Sequence, residues 1–97
     1  MLFRSQAISW TLKEQVRFDR TRITSRDWES YPILTFADVP TIETVLLDRP
    51  DEAWLGVGEG MVGPTAAAIA NAVCNAMGVR VRDMPITRER ILAAMGL

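Results

Sequence analysis

From Thr65 to Met77 the chain offers almost no polar face. Ala66, Ala67, Ala68, Ile69, Ala70, Ala72, Val73, Cys74, Ala76 and Met77 leave only Asn71 and Asn75, at i and i+4, as a polar stripe. A helix apolar nearly all round is expected to be buried on most sides. Pro64 suits its first turn, where a missing N–H costs nothing. Gly78 can close it in the left-handed conformation. A chain of 97 residues is one domain at most, and a domain of that size buries a smaller share of its surface than a larger one does. The demand for cover is therefore the first constraint on the fold.

The rest of the chain divides into short elements. Ser5 to Glu14 reads as a helix, with Ala7, Ile8, Leu12 and Trp10 supplying its apolar positions. Gln15 to Asp19 alternates polar and apolar residues and predicts a strand, with Thr21 to Thr24 as its hairpin partner. Ser25 to Pro40 is a long connection in which Trp28 and Tyr31 are expected to pin the backbone to the core. Ile42 to Leu47 predicts a strand with Val45, Leu46 and Leu47 as its buried end. Asp48 to Glu52 is a charged turn, and Trp54 to Val57 runs extended into a glycine cluster. Val79 to Val81 is a further short strand, which Pro85 helps to stop, and Thr87 caps a final helix from Arg88 to Met95. The expected fold is α+β, a small mixed sheet packed by the buried alanine-rich helix and flanking helices.

Composition narrows the chemistry. The net charge is −1, so no strong field draws the chain to nucleic acid or to an anionic membrane, and no apolar run is long enough for a span or a signal peptide. With no histidine and one cysteine, Cys74, the chain can form neither an internal disulfide nor a serine–histidine or cysteine–histidine catalytic pair. It has no ordinary zinc ligand set either. Cys74, mid-helix, reads as a small buried hydrophobe. Asn71 and Asn75 either bond neighbouring backbone or face water. Ten of the eleven basic residues are arginine, a residue suited to fixed pairing with carboxylates elsewhere in an assembly. Arg80 and Arg82 alternate outward as a solvated edge or as a contact to another domain.

The candidate site is Gly56-Val57-Gly58-Glu59-Gly60, followed by Met61-Val62-Gly63-Pro64. It places a carboxylate between glycines, which let backbone and ligand approach closely, where a strand gives way to a helix. Gly58-x-Gly60-x-x-Gly63 also satisfies the dinucleotide fingerprint, with Asp83 twenty residues further on. Against nucleotide binding stand the acidic Glu59 where the pyrophosphate must approach, the interruption of the strand by Gly56, and the 34 residues that follow Gly63, too few for a nucleotide-binding half. On these residues alone, Glu59 is a solvated turn carboxylate.

The surrounding residues add a resemblance. Gly56-Val57-Gly58-Glu59, then Gly63-Pro64-Thr65-Ala66-Ala67-Ala68-Ile69-Ala70-Asn71-Ala72, then Gly78-Val79-Arg80-Val81-Arg82-Asp83-Met84-Pro85-Ile86-Thr87, resemble the C-terminal end of the molybdenum-binding large (beta) subunit of the xanthine dehydrogenase/aldehyde oxidase family, isoquinoline 1-oxidoreductase type. Ser9-Trp10-x-Leu12-Lys13-Glu14, Tyr31-Pro32 and Ile42-Glu43 fit as well, so the likeness runs from about Gln6 onward. It implies a single unit, residues 1–97, that is the C-terminal part of a larger molybdopterin-binding domain, with Phe3-Arg4-Ser5 where the family has a glycine-rich approach to the first helix.

The resemblance implies hydroxylation of N-heterocycles or aldehydes with oxygen taken from water, and Glu59 as the active-site base. It implies Gly58 and Gly60 beside the cofactor, which in the complete enzyme would be molybdopterin, in its cytosine dinucleotide form, with none bound to this chain alone. Met61 and Val62 would line the substrate pocket or else pack in a core. The family often has Pro-Pro or another small pair where this chain has Gly60-Met61, a difference that bears on pocket shape. The implied partners are the remainder of the large subunit and a small [2Fe-2S] subunit; one cysteine here cannot hold a cluster. Alone, the chain is expected to be inactive and either to self-associate as a homo-oligomer or to bind a complementary chain. The rival reading is a stand-alone interaction module, or a catalytically dead remnant of the same fold.

Overall fold

The computed structural model describes residues 2–56 and 58–97, with side chains from Ser5 onward. Three helices carry it: α1 (Leu2–Leu12), α2 (Val62–Met77) and α3 (Arg88–Met95). Helix α1 starts and stops earlier than the expected Ser5 to Glu14, although Lys13 and Glu14 still donate backbone N–H groups to the Ser9 carbonyl. Helix α2 begins three residues before Thr65, so that Pro64 sits third in the helix, still among the N–H groups that have no intrahelical acceptor. Gly78 closes α2 at φ 72°, and Gly96 closes α3 at φ 79°. Thr87 caps α3 through its side chain, which accepts the Arg90 N–H at 3.4 Å.

The expected mixed sheet does not form among the described residues. What remains of it is one antiparallel bridge, Phe18 to Ile23. Its turn is built by Asp19, whose Oδ1 accepts from the Thr21 N–H, the Thr21 hydroxyl and the Arg22 N–H. The stretches 42–47 and 79–81 adopt no strand, and neither do residues 54–56; Val57, the last residue of that expected strand, lies outside the described residues. A strand needs a neighbour to receive its backbone hydrogen bonds, and among the described residues these stretches join no ladder. Val45, Leu46 and Leu47, expected to be buried, are 82%, 88% and 80% exposed.

The core is correspondingly small. Its apolar members are Ala7, Val81 and Ile86, with Pro85 beside them after a cis Met84–Pro85 peptide. Ser9 and Thr11 are buried with their hydroxyls satisfied. Ser9 Oγ accepts the Leu34 N–H at 2.9 Å, and Thr11 Oγ1 donates to the Ala7 carbonyl at 2.7 Å. The Ile86 N–H donates to the Thr11 carbonyl at 2.6 Å, which straps the segment before α3 across the end of α1. In the long connection the two aromatic anchors part company. Tyr31 holds, through Glu14, whereas Trp28 is 75% exposed and pins nothing.

Helix α2 packs against α1 along one stripe. Thr65, Ala66, Ile69, Ala70, Val73 and Cys74 are half-buried there, and no residue of α2 is fully buried. The cover its sequence demands is thus not supplied by the described residues. The radius of gyration, 16.5 Å, is well above the roughly 13 Å of a compact domain of this length.

Candidate functional site

The residues around Glu59 form a turn at the N-terminus of α2. The Glu59 carbonyl accepts the Val62 N–H at 3.1 Å. Met61 is the cap residue, in a right-handed conformation at φ −90°, ψ −6°, and no side chain caps the helix. Thr65 returns its hydroxyl to the Met61 carbonyl at 2.6 Å. Glu59 therefore stands two residues ahead of the cap residue of an uncapped helix, where the helix dipole favours an anion. It is exposed, as are Gly58 and Gly60.

The glycines are informative for what does not hold them. Among the described residues, positive φ occurs at Gly78 and Gly96 and not at Gly56, Gly58 or Gly60. A Cβ built on Gly56, Gly58 or Gly60 would meet nothing within 4 Å. Neither backbone strain nor crowding inside the chain calls for glycine at these positions.

The two residues expected to line a substrate pocket separate. Met61 forms part of a groove of about 540 Å³, with Ile8 and Leu12 of α1, Pro40 and Ile42 of the connection, and Ile69 of α2. Val62 and Glu59 do not line it. Both Met61 and Val62 are exposed at 38% and 37%, so neither is packed in a core. The pairing of Ile8 with Ile42 across the groove is not legible from spacing, because it depends on how residues 40–43 cross the α1–α2 seam.

The other polar candidates are surface features. The Arg80 guanidinium donates to Asn71 Oδ1 at 3.3 Å, and both side chains are exposed, as is Asn75. Cys74, expected to be a small buried hydrophobe, is half-buried. Among the described residues, no group of three or more Cys, Asp or Glu side chains could hold a metal ion, and no helix is long and apolar enough to cross a membrane. The glycines on either side of Glu59 have open space beside them. They present one carboxylate on an open turn.

No protein-family model matches the chain, but individual proteins do. A subunit of nicotinate dehydrogenase from Pseudomonas putida is 48% identical over 91 residues, 94% of this chain and 8% of that protein. The aldehyde oxidoreductase molybdenum-binding subunit of Escherichia coli is 45% identical over 74 residues, 70% of this chain and 10% of its own length. In three dimensions, quinoline 2-oxidoreductase from Pseudomonas putida superposes with a TM-score of 0.81 at 31% identity, over 96% of this chain and 13% of that one. The chain thus spans about a tenth of the length of the proteins it matches. By sequence and by fold, it belongs, as a fragment, to the family of the molybdenum-binding subunits of nicotinate, aldehyde and xanthine dehydrogenases.

Proposed function

We propose that this chain is the C-terminal part of the molybdopterin-binding domain of a molybdenum hydroxylase large subunit, of the isoquinoline 1-oxidoreductase type, and that Glu59 is the active-site base of the complete enzyme. The observation that carries the reading is the 48% identity across 94% of the chain, joined to a carboxylate set on an open, glycine-flanked turn. The glycines support it. Since nothing inside the chain requires them, the close approach that glycine permits is reserved for groups the chain does not contain.

In that enzyme the molybdopterin, in its cytosine dinucleotide form, supplies the redox chemistry of hydroxylation, with electrons leaving through a small [2Fe-2S] subunit. The contribution of this chain is narrower. The Glu59 carboxylate accepts the proton of the water-derived hydroxyl that attacks an electron-poor ring carbon or an aldehyde carbon. Gly58 and Gly60 keep the approach open on either side, and Met61 and Val62 form part of the substrate wall. A positioned base of this kind contributes about 10²–10⁴-fold to rate. The extended stretches that form no sheet here become strands of the larger α+β domain. Alone, the chain has the base without the cofactor and is inactive.

The test is Glu59→Gln in a reconstituted enzyme that contains this chain together with the remainder of the large subunit and the small subunit. Turnover is expected to fall by about 10²–10⁴-fold while metal and pterin content stay unchanged. Full activity in the variant would overturn the assignment of the base. A chain purified from its host without metal, pterin or larger partner would favour the stand-alone interaction module or inactive remnant.

A further inference from the structure

The groove of about 540 Å³ at the α1–α2 seam is lined at one point by Met61, two residues from Glu59. Two residues span at most about 7 Å of chain, and the bond from the Val62 N–H to the Glu59 carbonyl folds that stretch into a turn. Glu59 therefore stands beside the groove although it does not line it. Sites for small organic molecules measure about 300–1,000 Å³, so the groove has room for a two-ring molecule. The segment that leads into its far wall, Pro40 to Glu43, is fastened to α1 and to the residue after it. Ser9 Oγ accepts the Leu34 N–H at 2.9 Å, and the Asp38 carboxylate accepts from Lys13 and from the N–H and hydroxyl of Thr35.

The lining says which ligand the groove suits. Ile8, Leu12, Ile42, Met61 and Ile69 make it apolar, and a methionine thioether adapts well to an aromatic ring. The polar part of the lining is arranged against anions. Glu43 is the charged residue there, exposed at the rim, and among the described residues it makes no ion pair. Lys13, next to Leu12 in the chain, has its ammonium on Asp38. The Thr65 hydroxyl already donates to the Met61 carbonyl at 2.6 Å. The other lining hydroxyl, Thr41, lies two residues from Glu43. A carboxylate on an entering ring would thus have Glu43 and Glu59 for neighbours and no cation among the lining residues. An uncharged ring meets no such repulsion.

Resting on the assignment of Glu59 as the base in the preceding subsection, we infer that this groove holds the ring of the substrate beside Glu59, and that Glu43 is a specificity residue that admits uncharged or cationic heteroaromatic rings and repels rings carrying a carboxylate. Contact with the apolar side chains supplies affinity that is blind to charge. The choice between rings is then electrostatic. Two like charges a few ångströms apart in a partly solvated site change relative affinity about three- to tenfold, and salt screens the effect.

The probes are quinoxaline, a neutral two-ring heterocycle, and quinoxaline-2-carboxylate. Each is titrated at neutral pH into the 97-residue chain, at a dilution where it is monomeric, while the methyl signals of Met61 and Ile42 are followed by NMR. Both signals are expected to move with quinoxaline, and the carboxylate is expected to bind about three- to tenfold more weakly at low salt. Glu43→Gln should bring the two affinities to within about twofold, as should raising the salt to about 1 M. In the reconstituted enzyme the two rings should compete with turnover in the same ratio, and Glu43→Gln should level them there too. Signals that neither ring moves, or a carboxylate that binds as tightly as the neutral ring, would overturn the inference and leave Glu59, tested by its own variant, standing as the base. Signals that move with chain concentration and not with either ring would assign the groove to a second copy, with the same consequence. Ring binding alongside full activity of Glu59→Gln would detach the groove from the reaction and overturn both readings.

Discussion

The phenol of Tyr31 donates a 2.7 Å hydrogen bond to Glu14 Oε2, tying the middle of the long connection to the residue that follows α1 by two positions. The bond, with some burial and the negative charge of Glu14, raises the Tyr31 pKa above the ordinary phenol value of 10.0. The folded state thus holds the proton more tightly than the unfolded chain. The stabilisation is complete below about pH 10 and is lost as pH rises through the folded pKa. Tyr31 is the single tyrosine, so an absorbance titration reads it alone. Its midpoint is expected above that of the denatured chain, and Tyr31→Phe should cost about 1 kcal/mol or less.

Asp38 shows the opposite sign. The Lys13 ammonium donates to its carboxylate, and the Thr35 hydroxyl and backbone N–H add two further bonds, holding its pKa far below the ordinary 3.8 of an aspartate. The contribution is present above the unfolded pKa and is lost as pH falls through the folded one. In an NMR titration the Asp38 carboxyl should stay ionised after the other exposed carboxylates have protonated. Asp38→Asn should flatten the acid limb of the stability curve below about pH 4. An unchanged limb would show that the pair is an exposed contact of no consequence.

Glycine is required at Gly78, unlike at the glycines of the site. Its φ of 72° closes α2, with its N–H on the Cys74 carbonyl at 2.9 Å. Gly78→Ala should cost about 1–2 kcal/mol, read as a lower thermal midpoint. The same change at Gly58 or Gly60, where a Cβ meets nothing, should leave the stability of the chain within about 0.5 kcal/mol and impair only the assembled enzyme.

Thr87→Ala removes the cap of α3. The bond it loses is long, 3.4 Å, which places the expected loss toward the lower end of the ~0.5–2 kcal/mol range for caps. Thr87→Ser should restore most of it, and a denaturant midpoint distinguishes the two.

The faces of α2 turned away from α1 and the exposed side chains of Val45, Leu46, Leu47, Trp54 and Leu55 predict self-association of the isolated chain. Sedimentation over a concentration series should show a rising mean mass. A monomer that persists at high concentration would count against the fragment reading.

The order of elements along α2, Gly78, Thr87 and α3 was legible in the residues themselves, because each signal is local. Pro64 tolerates a helix start, a left-handed residue favours glycine, and a threonine hydroxyl reaches the third amide of the helix it precedes. The family was legible too, in the residues from Gly56 to Thr87. The one sequence reading of the site that needed no partner, an exposed Glu59 on a glycine-flanked turn, is also what the structure presents.

Burial was not legible. The apolar run 45–47 and the apolar faces of α2 announce that they will be covered, but not by what, since hydrophobicity is a demand and cover is a property of whatever lies next to it. Tertiary structure decided that only one stripe of α2 meets α1, that Tyr31 anchors and Trp28 does not, and that Met61 joins the groove while Val62 stays outside it. It also decided that, among the described residues, the strand-like stretches form no more than the Phe18–Ile23 bridge. A strand's hydrogen bonds are satisfied between segments, whereas a helix satisfies its own, so the helices of this chain form from their own sequence and its sheet does not.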